Sequence, residues 1–412
     1  MKILLLLIAC VAWPTVLPAQ TRARDLGIPF DGEPGPLNAI TDVAGVEVGH
    51  ATLIRGEGPL VVGQGPVRTG VTAVHPRGRG STEPVFAAWF SLNGNGEMTG
   101  TAWVDESGEL AGPVMITNTH SVGVVRDAVV EWMGQRDPET LWFLPVVAET
   151  YDGDINDING FHVRPEHAVA ALESARGGAV EEGAVGGGTG MACNGFKGGI
   201  GTASRRLDAE DGGYTVGALV QCNYGSQDGL LIAGIPVGRE LAARGIRAYC
   251  RSGEGTPSRE WVAELPECGE DGGQAHAAPS QTRELGSIII VVATDAPLLP
   301  HQLERVVKRA ALGIARDGAI ASNGSGDLFV AFSTAAEGLG ESEATVPLSM
   351  LPNDRMTPLF RATALAVEEA VVNAMVAAES MTGADGLRIL RLPHAATREI
   401  LTAHGRLDPG TD

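Results

Sequence analysis

Basic residues are scarce in this chain: 30 Lys and Arg stand against 50 Asp and Glu over 412 residues, a formal net charge of -20 with a pI near 4.8. Nucleic-acid backbones and anionic lipid surfaces are gripped by clustered cations, so neither is an expected partner. After residue 20 no apolar run is long enough to span a bilayer. Cysteine is sparse, five residues with no Cys-x-x-Cys spacing, and His-Glu-x-x-His does not occur. The usual zinc and dithiol motifs are thereby excluded, and no metal or cofactor is expected. No internal repeat is evident. What remains, 44% hydrophobic and 19% charged, can build one large domain or two ordinary ones with a sizeable core.

Residues 1–20 read as an export leader. Lys2 supplies a positive start, residues 3–13 an apolar core too short for a membrane span, and Val16-Leu17-Pro18-Ala19 a cleavage end with Ala19 last. Leu7-Ile8-Ala9-Cys10 resembles a lipoprotein signal, but so early a cysteine leaves a very short apolar region. The expected location is periplasmic or secreted. Without the leader the chain has 29 basic against 50 acidic residues, a net charge of -21, and four cysteines. An oxidising compartment permits disulfides. Cys250 and Cys268 bracket a loop-like stretch and are the expected pair, whereas Cys193 and Cys222 read as buried thiols in apolar or Gly-rich surroundings.

The most informative stretch is Ala321-Ser322-Asn323-Gly324-Ser325-Gly326-Asp327, which runs straight into the apolar residues 328–332. Ser325 lies between two glycines, which let other groups approach the backbone closely, and the preceding Asn-Gly is a turn signal. The unbroken run after it predicts a strand buried on both faces. A turn that delivers a serine to the head of a core strand fixes its hydroxyl on a rigid element, as a nucleophile requires. Turn chemistry alone would also account for Asn-Gly-Ser-Gly.

Elsewhere, alternating or continuous apolar segments predict strands over 46–48, 67–74, 84–90, 141–148, 213–221 and 288–293. Helical spacing predicts helices over 121–133, 166–176, 300–314 and 357–378. From 250 to about 285 the periodicity fails, and a surface insertion is expected. Strands and helices mixed without strict alternation favour an α+β layered sandwich. Two motifs are decoys. Gly186-Gly187-Gly188-Thr189-Gly190 fits a phosphate loop only loosely and reads better as close backbone packing. Asp152-Gly153-Asp154-Ile155-Asn156 begins like a calcium loop, but Asp157 and Val163 occupy the positions that need Gly and Glu.

No Gly-x-Ser-x-Gly elbow surrounds Ser325, and no histidine partner is evident. A serine in that position can gain a base if the chain is cut in front of it. The freed α-amine, with a reference pKa of about 7.7 to 8.0, can accept the hydroxyl's own proton. Ser325 could make that cut itself by attacking the Gly324 carbonyl to give an ester that water hydrolyses.

Several separated motifs in one order then carry a family resemblance: residues 27–50, 93–100, 117–127, 149–160, 186–205, 216–225, 288–297 and 322–334. The chain resembles the self-cleaving serine aminopeptidases that include L-aminopeptidase/D-alanyl esterase-amidases and β-peptidyl aminopeptidases. The resemblance implies a four-layer αββα sandwich similar to N-terminal-nucleophile hydrolases. It implies an α chain of residues 21–324 and a β chain of 325–412 within one catalytic domain, assembled as a homo-oligomer of αβ units. Ser325 would be both self-cleavage residue and nucleophile, Asn223 the oxyanion donor, and Tyr151 a polar group near the reacting carbonyl. Glu149 would pair with the substrate's free ammonium. Some members carry a second serine two residues before a helix glutamate. Here Ala366 precedes Glu368, which shifts weight onto the α-amine, with Glu368 or Glu369 as an orienting carboxylate.

The expected activity is release of amino-terminal residues from short peptides, amides or esters through an acyl-enzyme. An acyltransferase of the ornithine acetyltransferase type and a non-enzymatic binding protein are the alternatives. Preference among L, D and β-amino substrates stays open.

Overall fold

The computed structural model describes residues 20–253, 257–269, 286–340 and 345–407. The expected leader, Gln20 apart, and much of the expected insertion lie outside the described residues.

Two sheets stack face to face, their strands β1 to β10 in chain order. The first runs β1 (Glu47–Arg55), β2 (Val67–His75), β5 (Val114–Asn118), β6 (Val146–Thr150). The second runs β4 (Glu109–Leu110), β3 (Val85–Gly94), β10 (Gly326–Ser333), β9 (Ser287–Thr294), β8 (Thr215–Asn223), β7 (Gly199–Arg206). Helices α1 (Val122–Arg136) and α2 (Pro165–Ser174) cover the first sheet. Helices α3 (Pro300–Val307), α4 (Ala310–Arg316) and α5 (Thr357–Val376) cover the second.

The four layers follow from the two-residue period of strands. Ile289, Val291, Leu328 and Val330 meet Val74, Ile116 and Ala148 between the sheets. Their neighbours Ile288, Ile290, Phe329 and Ala331 face Leu303, Val306, Ala366 and Ala370 of the helices. Val71, Ala73 and Val147 meet Val125, Val129 and Leu172 on the far side. A strand buried on both faces needs apolar residues at every position, which is why β9 and β10 read as unbroken runs. Fully burying each such side chain contributes on the order of 1.5–3 kcal/mol, so a charge at Val330, fully buried between the sheets, would break the sandwich.

One glycine-rich segment plugs the space between the sheets. A Cβ on Gly187 would fall 2.2 Å from Gln221 Oε1, and one on Gly190 would fall 2.4 Å from the Arg68 carbonyl oxygen. Residues 186–190 therefore serve close packing, as their sequence suggests.

Several local expectations shift. The apolar segment 141–148 is strand only from Val146; Leu141 is 95% exposed and Trp142 lies in coil. The helical pattern 300–314 is split into α3 and α4 around Lys308 and Arg309. Cys250 and Cys268 are joined, as expected, but Cys193 and Cys222 are also a disulfide rather than two thiols. Cys193 sits in the hairpin formed by Ala192–Cys193 and Phe196–Lys197, which lies against the end of β8 that carries Cys222. Nothing in a separation of 29 residues announces that contact. The described part of the insertion is also tied down: Tyr249–Arg251 pairs with Leu387–Ile389, and Val262 is fully buried.

Candidate active site

Register brings the site together at one end of the second sheet. Asn223 pairs with Ser287, Ser287 with Gly326, and Gly326 with Gly94, so four strands end in one row. Ser325 immediately precedes the first residue of β10 and is 4% exposed. Its amide N–H donates to the Ser322 carbonyl at 2.9 Å, closing the turn that the Asn-Gly pair announced. The next amide, of Gly326, donates to Ser287 Oγ at 3.1 Å.

The Ser325 hydroxyl donates to Asp327 Oδ1 at 2.5 Å. Burial pushes the Asp327 carboxyl up to about 6, against the opposing effect of the Ser325 hydrogen bond. Its Oδ2 is buried with no close hydrogen-bond partner among the described residues, while the Ile288 backbone also favours the charged carboxyl. Both side chains line a small cleft with Tyr224, Gly225, Gly286 and Ala321. Asp327 was not singled out from the sequence, although the spacing was visible: residues two apart on a strand share a face.

The turn 93–96 lies directly over this serine. Asn95 Nδ2 donates to the carbonyl oxygen of Gly324 at 2.8 Å, and Asn93 Nδ2 donates to the Ser322 carbonyl. A Cβ on Gly326 would fall 2.3 Å from the Asn95 carbonyl oxygen, so only glycine lets the two backbones meet. Asn95 also escaped the sequence reading, because its partner is 229 residues away.

Glu149, at the end of β6, reaches the same turn. The position of a notional Cβ on Gly96 is 3.2 Å from Glu149 Oε1 and 3.3 Å from the Gly326 Cα. Glu149 is 3% exposed; it accepts from the Glu97 amide at 3.0 Å and from the Thr119 hydroxyl. Burial raises its pKa, with those two hydrogen bonds opposing. Other buried glutamates have arginines: Glu182 pairs with Arg22, Glu368 with Arg316, and Glu369 with Arg24 and Arg205. Glu149 has no Lys or Arg ion pair among the described residues, which leaves it able to receive a cation from outside.

Asn223 is held at both ends of its amide. The Ala192 N–H donates to Oδ1 at 2.8 Å, and Nδ2 donates to the Tyr151 carbonyl at 2.7 Å. One Nδ2 proton is left for an acyl oxygen. Tyr151 is 44% exposed, and its hydroxyl folds over Gly153, 2.3 Å from where a Cβ would stand. The structure thus gathers Ser325, Glu149, Asn223 and Tyr151 at one end of the sandwich. Glu368 lies on α5 with its carboxylate on Arg316, Glu369 accepts from Arg24, and Ala366 packs in the core. The carboxylate in contact with Ser325 is Asp327.

Residues 38–389 match the model of peptidase family S58. The chain is 55% identical over 387 residues to the β-peptidyl aminopeptidase BapA of Sphingosinicella microcystinivorans, covering 94% of this chain and 93% of that one. A solved Burkholderia sp. β-aminopeptidase superposes with a TM-score of 0.80 at 44% identity, covering 93% of this chain and 99% of its own. The L-aminopeptidase D-Ala-esterase/amidase of Ochrobactrum anthropi does so with a TM-score of 0.80 at 44% identity, covering 94% and 99%. That structure is described as a prototype serine aminopeptidase and a variant of the Ntn hydrolase fold.

Proposed function

This chain belongs to peptidase family S58 and is a serine aminopeptidase of the Ntn-hydrolase-like αββα fold, and from that premise we propose that Ser325 is its nucleophile, unmasked by self-cleavage of the Gly324–Ser325 bond. The reading gives an α chain ending at Gly324 and a β chain beginning with Ser325. The new α-amine takes the hydroxyl proton, Oγ attacks the substrate carbonyl, and Asn223 Nδ2 holds the oxygen that becomes negative. An acyl-enzyme forms and water releases it.

The observation that carries the specificity is Glu149, a buried carboxylate with no Lys or Arg ion pair among the described residues, beside the serine's turn. A substrate's terminal ammonium would compensate that charge and place the first residue's carbonyl toward Ser325. Relatives named β-peptidyl aminopeptidases at 55% and 45% identity favour peptides and amides that begin with a β-amino acid. The two disulfides favour an oxidising compartment, in keeping with export of the chain to the periplasm or beyond, followed by assembly of αβ units into a homo-oligomer.

A panel of free and N-acetylated α- and β-aminoacyl amides tests the reading. Hydrolysis confined to free amines supports it, and equal turnover of blocked substrates refutes the role of Glu149. Intact mass and N-terminal sequencing of active protein test the cut: the β chain must begin with Ser325.

A further inference from the structure

The base that serves substrate hydrolysis is missing while the chain is whole. Before the cut, the Ser325 nitrogen is an amide that donates to the Ser322 carbonyl, and its lone pair is delocalised into the peptide bond. Asn223 is not on the Gly324 oxygen either: its Oδ1 accepts from the Ala192 N–H and its Nδ2 donates to the Tyr151 carbonyl. The bond to be broken has a different pair of groups in contact with it. Asn95 Nδ2 is 2.8 Å from the Gly324 oxygen, and Asp327 Oδ1 is 2.5 Å from Ser325 Oγ.

We propose that self-cleavage has its own catalytic pair, Asp327 as the base on Ser325 and Asn95 as the oxyanion donor on Gly324, separate from the α-amine and Asn223 that serve substrates. The proposal rests on Ser325 being the self-cleavage residue. Asp327 takes the proton from Oγ, and Oγ bonds to the Gly324 carbonyl carbon. The negative charge that develops on the Gly324 oxygen is met by the Asn95 N–H. Asp327 then delivers the proton to the Ser325 nitrogen, and the carbon–nitrogen bond breaks to leave an ester on Oγ. Water hydrolyses the ester, giving the Gly324 carboxylate, the Ser325 hydroxyl and its α-amine.

Two features suit Asp327 to this work. Its raised pKa makes it a stronger proton acceptor than an ordinary carboxylate, while it remains largely ionised at pH 7. Its Oδ1 already accepts from the Ser325 hydroxyl, which places the base on the proton it must take. Tyr224 is the titratable side chain facing it across the cleft, and Tyr224 is held neutral by burial. Asn95 is suited differently: it sits on an exposed turn that is held against Gly326 by the packing of residues 95 and 96 and by the Asn93 hydrogen bond to Ser322. Once the bond is cut, its partner becomes a free carboxylate, which can leave the site to substrate.

Newly synthesised protein is followed by denaturing electrophoresis and intact mass, with thermal melting as a check on folding. Asn95→Ala should lengthen the half-time of conversion to α and β chains by about 100- to 1000-fold, the usual cost of losing one oxyanion donor. Asn223→Ala should convert within about threefold of wild type, yet hydrolyse an aminoacyl anilide at least about 100-fold more slowly per β chain. Asp327→Asn, the same shape without the base, should stay whole, and Asp327→Glu should restore part of the conversion. Unchanged conversion in Asn95→Ala, or conversion abolished in Asn223→Ala but not in Asn95→Ala, overturns the division of labour. Normal conversion in Asp327→Asn overturns the base. A Ser325→Ala protein that is still cut would instead overturn the underlying assignment of Ser325.

Discussion

The backbone N–H of Ala192 holds Oδ1 of Asn223 at 2.8 Å, and this one contact fixes which end of the amide is the donor on the side of Tyr151, the end that the proposed mechanism needs. With Oδ1 occupied as acceptor, the nitrogen end must point away, toward Tyr151 and the site. Asn223→Asp should therefore cost more than a donor: a carboxylate there would repel the oxyanion. We expect kcat to fall about 100- to 1000-fold for Asn223→Ala and further for Asn223→Asp, with KM moving little, in steady-state kinetics on one free-amine substrate.

The hairpin that presents Ala192 is tied to β8 by Cys193–Cys222, next to Asn223 itself. Replacing both cysteines by serine should cost about 3.5 kcal/mol of stability, as expected for a loop of this length, and should lower kcat more than it raises KM. Thermal melting with and without reductant, alongside kinetics, checks this. A double variant with wild-type kcat would show that the hairpin holds Asn223 without its disulfide.

Lys197 lies in the same hairpin, fully buried, its Nζ donating to the carbonyls of Met191 at 2.7 Å and Gly198 at 3.0 Å. Burial lowers its pKa to about 7 from an ordinary 10.5. Between those values the unfolded chain binds a proton that the folded chain does not, so stability should rise with pH, by roughly 2–3 kcal/mol from pH 7 to 9. Chemical denaturation at several pH values tests the slope, which should vanish in Lys197→Met.

Glu149 sets function against stability. Burial raises its pKa, so its contribution to folding is present at low pH, below the ordinary carboxyl value, and is lost as pH rises through the raised one. Glu149→Gln should melt higher than wild type at pH 7. It should also lose about 10- to 100-fold in kcat/KM on free amines, since a charge-assisted hydrogen bond is worth about 1.5–3 kcal/mol. For wild type, KM should climb as pH falls through the raised pKa. A variant that melts lower and binds free amines as well as wild type would remove Glu149 from the substrate site.

Much of the fold was legible because its signals are local. The unbroken runs in β9 and β10 could only be strands covered on both faces, and the Asn-Gly before Ser325 could only be read as a turn. Where a signal was misleading, a tertiary contact had overridden it. Leu141 and Trp142 look like core residues yet lie exposed in coil, and Cys193 and Cys222 looked like separate thiols because the pairing depends on where a hairpin docks.

The order of residues along the chain was enough to determine the layered architecture, the serine at the head of a central strand and the family to which the chain belongs, since each depends on patterns within a few residues or on motifs in sequence. Which groups touch that serine was decided only by folding. Asn95 reaches Gly324 across 229 residues, and Gly96 stands between Glu149 and Gly326 because three chain segments converge at one sheet end. Such contacts depend on strand register and on the close approach that glycine allows, and neither leaves a mark in the local sequence.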